Sequence, residues 1–179
     1  DTPTTTASDT PLVLWSPERQ IAWIQTFKGG LPTVRMLLRE CLESRAFADL
    51  RGAAEDELGT SFASTKYLRT LLRVLRHLGL ITEEDGRWQT TDDGEHTLEN
   101  DPPERMIESL LVRVNGAAVV LRSVQDAPLT QSEVTQALAD HDRGPAQESR
   151  GRWLVLWLRM VGLLDRDGQH ILQTPLGKQ

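Results

Sequence analysis

Between residues 64 and 81 the chain reads STKYLRTLLRVLRHLGLI, and its leucines recur at the spacing of one helix face. Their i, i+3, i+4, i+7, i+10 pattern predicts an amphipathic helix with one buried stripe, formed by Leu68, Leu71, Leu72, Leu75 and Leu78. Gly79 suits the position that follows a helix C-terminus. The next residues predict two short strands joined by a turn at Asp85-Gly86, so a β-hairpin follows the helix.

The same kind of periodicity predicts further helices on both sides of this hairpin. Before it, helices are expected over 16–27, with Ser16 as N-cap, and over 32–44 and 47–58. After it, residues 92–94 are expected to form a second turn. The second half of the chain is expected to hold a long helix over 103–121 with a kink point at Gly116, a helix that begins with a capping box of Thr130 and Glu133, and a helix over 147–161.

The two halves of the sequence repeat each other at an offset of 83 residues. The end of the helix aligns with a later one through Gly79 and Gly162, and each glycine is followed by two apolar residues. Thr91 and Gly94 align with Thr174 and Gly177, and an Asp-Gly hairpin turn lies between the aligned positions in both halves. The repeat predicts one architecture built twice.

The segments LRHLGLI…DGRWQTTDDG and LRMVGLL…DGQHILQTPLG resemble the winged-helix family, a helix-turn-helix variant with a β-hairpin wing. The resemblance implies a mostly α fold with small β-hairpin wings, as two winged-helix units in tandem. We expect a disordered lead-in over 1–15, an N-terminal helix plus first unit over 16–100, and a second unit over 101–179. In this family the helix before the wing enters the major groove of DNA, which here is the helix 64–78.

The charge of that helix agrees with contact to double-stranded DNA. It carries four cations and no acid although the chain has a net charge of −6. Arginine and lysine neutralise phosphates, and arginine also reads guanine edges. The residues predicted to contact DNA, Arg87 of the wing included, are Ser64, Thr65, Lys66, Arg69, Thr70, Arg73, Arg76 and Arg87. The wing itself is acidic, through Glu83, Glu84 and Asp85, so its contact with phosphate is unfavourable.

The equivalent helix of the second half has a different outer side. The offset places Trp153 at Thr70, Leu156 at Arg73 and Met160 at His77. Apolar residues on a second side of a helix indicate a second packing contact. We therefore expect a protein interface, within the chain or in a homodimer, that consists of Trp153, Leu156, Trp157 and Met160.

Other kinds of site are not indicated by the sequence. The single cysteine, Cys41, lies in an apolar pattern and is interpreted as a core residue, and the histidines lack metal-binding spacing. No phosphate loop or nucleophile motif is found, so no enzyme, cofactor or metal is expected. With no signal peptide or membrane-spanning run recognised, a cytoplasmic protein with no membrane partner is expected.

Two function classes follow from these observations. The cationic helix favours a DNA-binding protein, either a transcription regulator or the DNA-sensing part of a replication, repair or defence system. The acidic wing and the net charge favour a protein–protein adaptor, because acidic tandem winged-helix proteins also serve as subunits of larger assemblies such as chromosome-condensing complexes.

Overall fold

The computed structural model describes residues 12–22, 24, 29–59 and 65–178. Within these residues the protein is mostly helical, with two small antiparallel sheets of three strands each. The elements of the first half are α1 (Gly30–Glu40), β1 (Arg45–Ala46), α2 (Phe47–Leu58), α3 (Thr65–His77), β2 (Ile81–Glu84), β3 (Arg87–Thr90) and α4 (Asp92–Glu99). Those of the second half are α5 (Glu104–Arg113), α6 (Ala117–Ser123), β4 (Leu129–Thr130), α7 (Gln131–Asp142), α8 (Glu148–Met160), β5 (Leu164–Asp167) and β6 (His170–Gln173), followed by one 3-10 turn (Leu176–Lys178).

The two sheets have the same topology, which confirms the repeat at the level of strand order. Each hairpin, β2–β3 and β5–β6, accepts a third strand of two residues on its second strand, so the strand orders are β1-β3-β2 and β4-β6-β5. In the first sheet Arg45 lies opposite Trp88, and in the second Leu129 lies opposite Ile171. Sequence periodicity did not predict β1 and β4, because two residues are too short to show an alternation.

The leucine stripe of α3 lies in the core as predicted, since each of its five residues is at most 2% exposed. Buried side chains from α1, α2 and the first hairpin surround it. Together with the stripe, these side chains and the buried residues of α5 to α8 form one hydrophobic cluster that includes both halves. Cys41 is completely buried in this cluster, and burial raises the pKa of its thiol to about 12. The interpretation of Cys41 as a core residue is confirmed.

The repeated threonine and glycine of the first half connect the end of α3 to the start of α4. The Thr91 hydroxyl donates to the Gly79 carbonyl at 2.6 Å and accepts a hydrogen bond from the Gly94 amide at 3.2 Å. The Thr91 amide donates to the Leu80 carbonyl at 3.0 Å. Gly94 packs so tightly on the Leu80 carbonyl that a Cβ there would overlap it. Thr91 is thus the N-cap of α4, and the predicted turn at 92–94 is wrong because these residues form its first turn.

The second half repeats these hydrogen bonds before a 3-10 turn in place of an α-helix. The Thr174 hydroxyl donates to the Gly162 carbonyl at 2.5 Å and accepts from the Gly177 amide at 3.1 Å. The Thr174 amide donates to Leu163, whose carbonyl would overlap a Cβ at Gly177. Both Gly79 and Gly162 have positive φ, 76° and 84°. We call each set a threonine lock; it fixes the hairpin against the end of the preceding helix.

Two other helix predictions are wrong in their extent. The long helix over 103–121 is two helices, α5 and α6, because the backbone is extended at Val114 and left-handed at Gly116, whose φ is 89°. The helix predicted over 32–44 ends at Glu40, so Leu42 is 43% exposed and not on a buried face. The capping box of Thr130 and Glu133 is confirmed, and its hydrogen bonds to Thr130 lower the pKa of the Glu133 carboxyl.

The predicted helix over 16–27 is wrong in its described part. Residues 16–20 form a single turn, in which the Arg19 amide donates to the Ser16 carbonyl at 2.9 Å. The chain then lies beside α5, where Ile21 forms a bridge with Val114. Residues 23 and 25–28 lie outside the described residues, as does most of the predicted lead-in, whose last residue, Trp15, donates its amide to Val112 at 3.2 Å.

Candidate nucleic-acid interface

The outer face of α3 is arranged in three rows of residues spaced seven apart, which is about two helical turns. Lys66 and Arg73 form the middle row. Arg69 and Arg76 form one edge, and Thr70 and His77 form the other. The opposite side of α3 is the buried leucine stripe, so the core fixes the direction in which these rows face. Each edge contacts a different neighbour.

The middle row carries the cations that are available for a ligand. Both Lys66 and Arg73 are exposed, and neither has an acidic partner among the described residues. Thr70 uses its hydroxyl within the helix, as a donor to the Lys66 carbonyl at 2.9 Å. Ser64 lies outside the described residues, and Thr65 begins the helix.

The Arg69 and Arg76 edge is held by neighbouring elements. The Arg69 guanidinium stacks over the Phe47 ring of α2 at 4.1 Å from the ring centre, beside an open groove with a volume of about 420 Å³ that Arg51 and Glu55 also line. Arg76 donates from Nη1 to Glu83 Oε2 on β2 at 2.7 Å. Arg69 forms no ion pair within the described ranges, whereas Arg76 is neutralised by the first hairpin.

The first hairpin is unfavourable for contact with a phosphate, because its exposed charges are mostly acidic and its arginine is engaged. Glu84 and Asp85 are exposed. Arg87 donates from Nε to the Ser44 hydroxyl at 3.0 Å and from Nη2 to the Ser44 carbonyl at 2.6 Å. The predicted contact residue Arg87 therefore fastens the hairpin to the loop before β1. Trp88 is 3% exposed, so its indole belongs to the core and is not available to stack on a base.

The His77 edge contacts a group of residues that are distant in sequence and whose association the sequence did not predict. Trp15 lies edge-on to His77, with the ring centres 5.9 Å apart. The guanidiniums of Arg19 and Arg113 lie over the same indole, at 4.3 Å and 4.6 Å from its centre. Arg113 also donates to the His77 carbonyl at 3.2 Å. We call Trp15, Arg19, His77 and Arg113 the Trp15 cluster; it joins the N-terminal segment (12–22), α3 and α5.

The outer side of α8 differs from that of α3, as the offset predicted, but its four apolar residues have different positions. Trp157 is 1% exposed and belongs to the core of this chain, so its predicted interface role is wrong for any external partner. Met160 packs near Gly30 at the start of α1, which is a contact between the two halves. Leu156 is 38% exposed and Trp153 is partly buried.

One arginine of α8 is buried and lies on the inner side of the helix. Arg150 is 8% exposed; it forms an ion pair with Asp142 and donates to both the carbonyl and the side-chain oxygen of Asn115, at 3.2 Å and 3.1 Å. The acid that holds it lies eight residues earlier across a loop, so helical spacing gives no signal of the pair. Arg152 and Arg159 are exposed.

Other kinds of site receive no support from the described residues. They contain no group of three or more His, Cys, Asp or Glu side chains placed to hold a metal ion. Nor does any helix among them have both the length and the apolar character needed to span a membrane. The chain matches no protein-family model, and comparison with curated proteins and with solved structures also gives no match.

Proposed function

We propose that this chain is a tandem winged-helix protein that binds double-stranded DNA through α3. The observation that carries the proposal is the outer face of α3, where Lys66, Arg69 and Arg73 are exposed cations without acidic partners among the described residues. The helix sequence itself contains no acid. On a chain of net charge −6, a face of this kind is a local concentration of positive charge.

In this proposal α3 enters the major groove with its three rows toward the DNA. Lys66 and Arg73 contact phosphates or base edges from the middle of the face. Arg69 is oriented by Phe47 and lies where the wall of the DNA major groove approaches α2. The rigid leucine stripe supports this geometry, because side chains on a packed helix lose less conformational freedom when they bind.

The second half has a packing role in this proposal. Met160 contacts the first half, and a threonine lock connects the second hairpin to the end of α8 as one connects the first hairpin to the end of α3. Leu156 and Trp153 leave a partly apolar outer side on α8, which suits a homodimer or another protein. A transcription regulator, or the DNA-sensing part of a replication, repair or defence system in the cytoplasm, fits this division of roles.

A fluorescence titration with duplex DNA at two salt concentrations tests the proposal. Affinity should fall steeply with salt, and the variant Lys66→Ala/Arg73→Ala should lower the log–log slope by about 1.8, at roughly 0.9 for each phosphate contact. The matched control is Arg122→Ala/Arg159→Ala, which removes the same charge from two exposed arginines of the second half that form no ion pair among the described residues. Equal weakening by both variants, or no duplex binding by the parent protein at low salt, contradicts the proposal.

The acidic first hairpin favours a second candidate, a protein–protein adaptor. Its exposed acids lie next to α3, and its one arginine is bonded to Ser44, so a DNA backbone on that side meets repulsion. An adaptor of this kind binds a basic partner with the hairpin. Absence of duplex binding in the titration above, and of binding in the same titration repeated with single-stranded DNA, supports this candidate.

A further inference from the structure

The two flanks of α3 differ in charge. On one flank lies the first hairpin, where Arg76 is paired with Glu83 and Arg87 is bonded to Ser44. The remaining charges of the hairpin, Glu84 and Asp85, are negative and exposed. DNA in contact with the middle row of α3 extends past both flanks, so the hairpin flank repels the phosphates that pass it.

The other flank carries the Trp15 cluster. Arg19 and Arg113 both lie over the Trp15 ring, and neither forms an ion pair with a carboxylate in the described part of the chain. The nearest acid in sequence, Glu18, is engaged with its own backbone and the Ser16 hydroxyl, hydrogen bonds that lower the pKa of its carboxyl. The cluster begins at His77, on the edge row of α3, so it extends the positive outer face beyond the helix.

The N-terminal segment is fixed in this place by main-chain hydrogen bonds to the end of α5. The Trp15 amide donates to Val112 at 3.2 Å, the Ile21 amide to Arg113 at 2.9 Å, and the Asn115 amide to Ile21 at 3.0 Å. Gln20 adds a side-chain hydrogen bond to the Val112 carbonyl at 3.0 Å. The segment thus has a defined position beside α3 and does not need to be ordered by a ligand.

Within the cluster the two arginines have different surroundings. Arg113 is partly buried; its guanidinium packs against Gly79, where a side chain would overlap it, and donates to the His77 carbonyl at the C-terminal end of α3. That carbonyl end carries partial negative charge, which offsets the charge of Arg113. Arg19 is exposed, and among the described residues no main-chain carbonyl accepts a hydrogen bond from it. Stacking on an indole orients a guanidinium and leaves its N–H edge available for two hydrogen bonds to a phosphate.

We propose that the N-terminal segment replaces the wing as the contact to the DNA backbone, with Arg19 as the residue that binds phosphate on the flank opposite the hairpin. Trp15 and Arg113 are positioning residues that hold Arg19 beside the outer face of α3. The proposal rests on the proposed function, because it concerns DNA that α3 already contacts. It assigns a role to a segment for which the sequence predicted only a helix.

The test compares single arginine variants of the full chain in duplex DNA titrations across a salt series. Arg19→Ala should lower the log–log slope by about 0.9, the value for one phosphate, and weaken binding by up to about fivefold at low salt. Arg87→Ala in the hairpin should have the same log–log slope as the parent protein. Arg122→Ala is the matched control for loss of one positive charge, because Arg122 is exposed on α6 and bonds only within its own helix.

A second variant separates orientation from charge. Arg19→Lys keeps the charge but loses the planar stack on Trp15, so it should recover the slope but only part of the affinity. Thermal unfolding of each variant checks that the fold is retained, which we expect because Arg19 is exposed.

The outcomes distinguish this proposal from the proposed function. A parent-like slope for Arg19→Ala, together with weakened binding by Lys66→Ala/Arg73→Ala, overturns the role of the N-terminal segment and leaves α3 as the DNA contact. A loss in Arg122→Ala as large as that in Arg19→Ala also overturns it, since bulk charge then explains the effect. Absence of duplex binding by the parent protein overturns both.

Discussion

Arg76 on α3 and Glu83 on β2 form an ion pair with 2.7 Å between Nη1 and Oε2, so the first hairpin neutralises one cation of the helix that precedes it. Both side chains are partly exposed, at 51% and 31%, and pairs of this kind contribute about 0–1 kcal/mol. A pair this weak affects the fold little. Its larger effect is to reduce the positive charge on the outer face of α3.

The first prediction concerns this pair. Glu83→Gln should tighten duplex DNA binding several-fold at low salt, because it removes a negative charge and releases Arg76. Glu84→Gln is the matched control, since Glu84 is exposed on the same strand and pairs with no cation among the described residues. Titrations at two salt concentrations measure both. Equal tightening by the two variants would mean that general charge, and not the release of Arg76, is responsible.

The second prediction concerns the threonine locks. Thr91→Ala and Thr174→Ala should each lower the free energy of unfolding by about 1–2 kcal/mol, because each leaves a helix-start amide and a glycine carbonyl without its hydroxyl partner. Thr82→Ala, at an exposed position of β2, should change it by less than about 0.5 kcal/mol. Urea unfolding of the three variants gives the comparison. Similar values for all three would show that the locks are not stabilising.

The third prediction compares two glycines. Gly94→Ala should be strongly destabilising, because the new methyl group would overlap the Leu80 carbonyl and the Thr90 methyl group. Gly52→Ala in α2 should stabilise by up to about 1 kcal/mol, since a methyl group there meets nothing within 4 Å and alanine favours helix. Thermal unfolding measures both changes. A destabilising Gly52→Ala would contradict the open surroundings described for that position.

The fourth prediction follows from the buried thiol of Cys41, whose pKa of about 12 in the folded protein lies above the usual value of 9.0. At pH 8 the folded protein should react with a thiol reagent no faster than it unfolds, because the reactive thiolate does not form. Denatured protein should react at once. Rapid labelling of the native protein would show that Cys41 is accessible.

The same pKa difference gives a pH dependence. Above about pH 9 the unfolded chain loses the thiol proton while the folded chain keeps it, so stability falls with rising pH until about pH 12, by up to about 1.4 kcal/mol per pH unit from this group. Cys41→Ala should remove that part of the slope. Urea unfolding at several pH values between 8 and 11 measures it.

The sequence predicted best those elements whose partners are local. The leucines of α3 and the Asp85-Gly86 turn depend on neighbours a few residues away, and each lies where its spacing predicted. The capping box of Thr130 is local in the same way. The Thr-x-x-Gly repeat contains a local helix cap, in which the Thr91 hydroxyl accepts from the Gly94 amide, but the bond that this hydroxyl donates to the Gly79 carbonyl has no local signal.

The sequence failed where long-range contacts decide the conformation. Ser16 and Pro17 resemble a helix start, but main-chain hydrogen bonds to α5 hold the following residues in a non-helical path. Arg150 is paired with Asp142, and Arg87, which the sequence predicted to contact DNA, is hydrogen-bonded to Ser44; neither partner lies at a helical spacing. Trp15 gave no periodic signal, and its role depends on Arg113, almost a hundred residues later.

The threonine locks fix the arrangement of helix and hairpin without using the side chains of the outer faces. Each is made from one hydroxyl group, main-chain atoms and glycines, and none of these atoms belongs to the outer rows of α3 or to the outer side of α8. Residues on those outer sides are therefore free to differ without altering the angle between helix and hairpin. One scaffold can accordingly present a cationic side in one copy and an apolar side in the other, and what each copy binds is specified independently of how it folds.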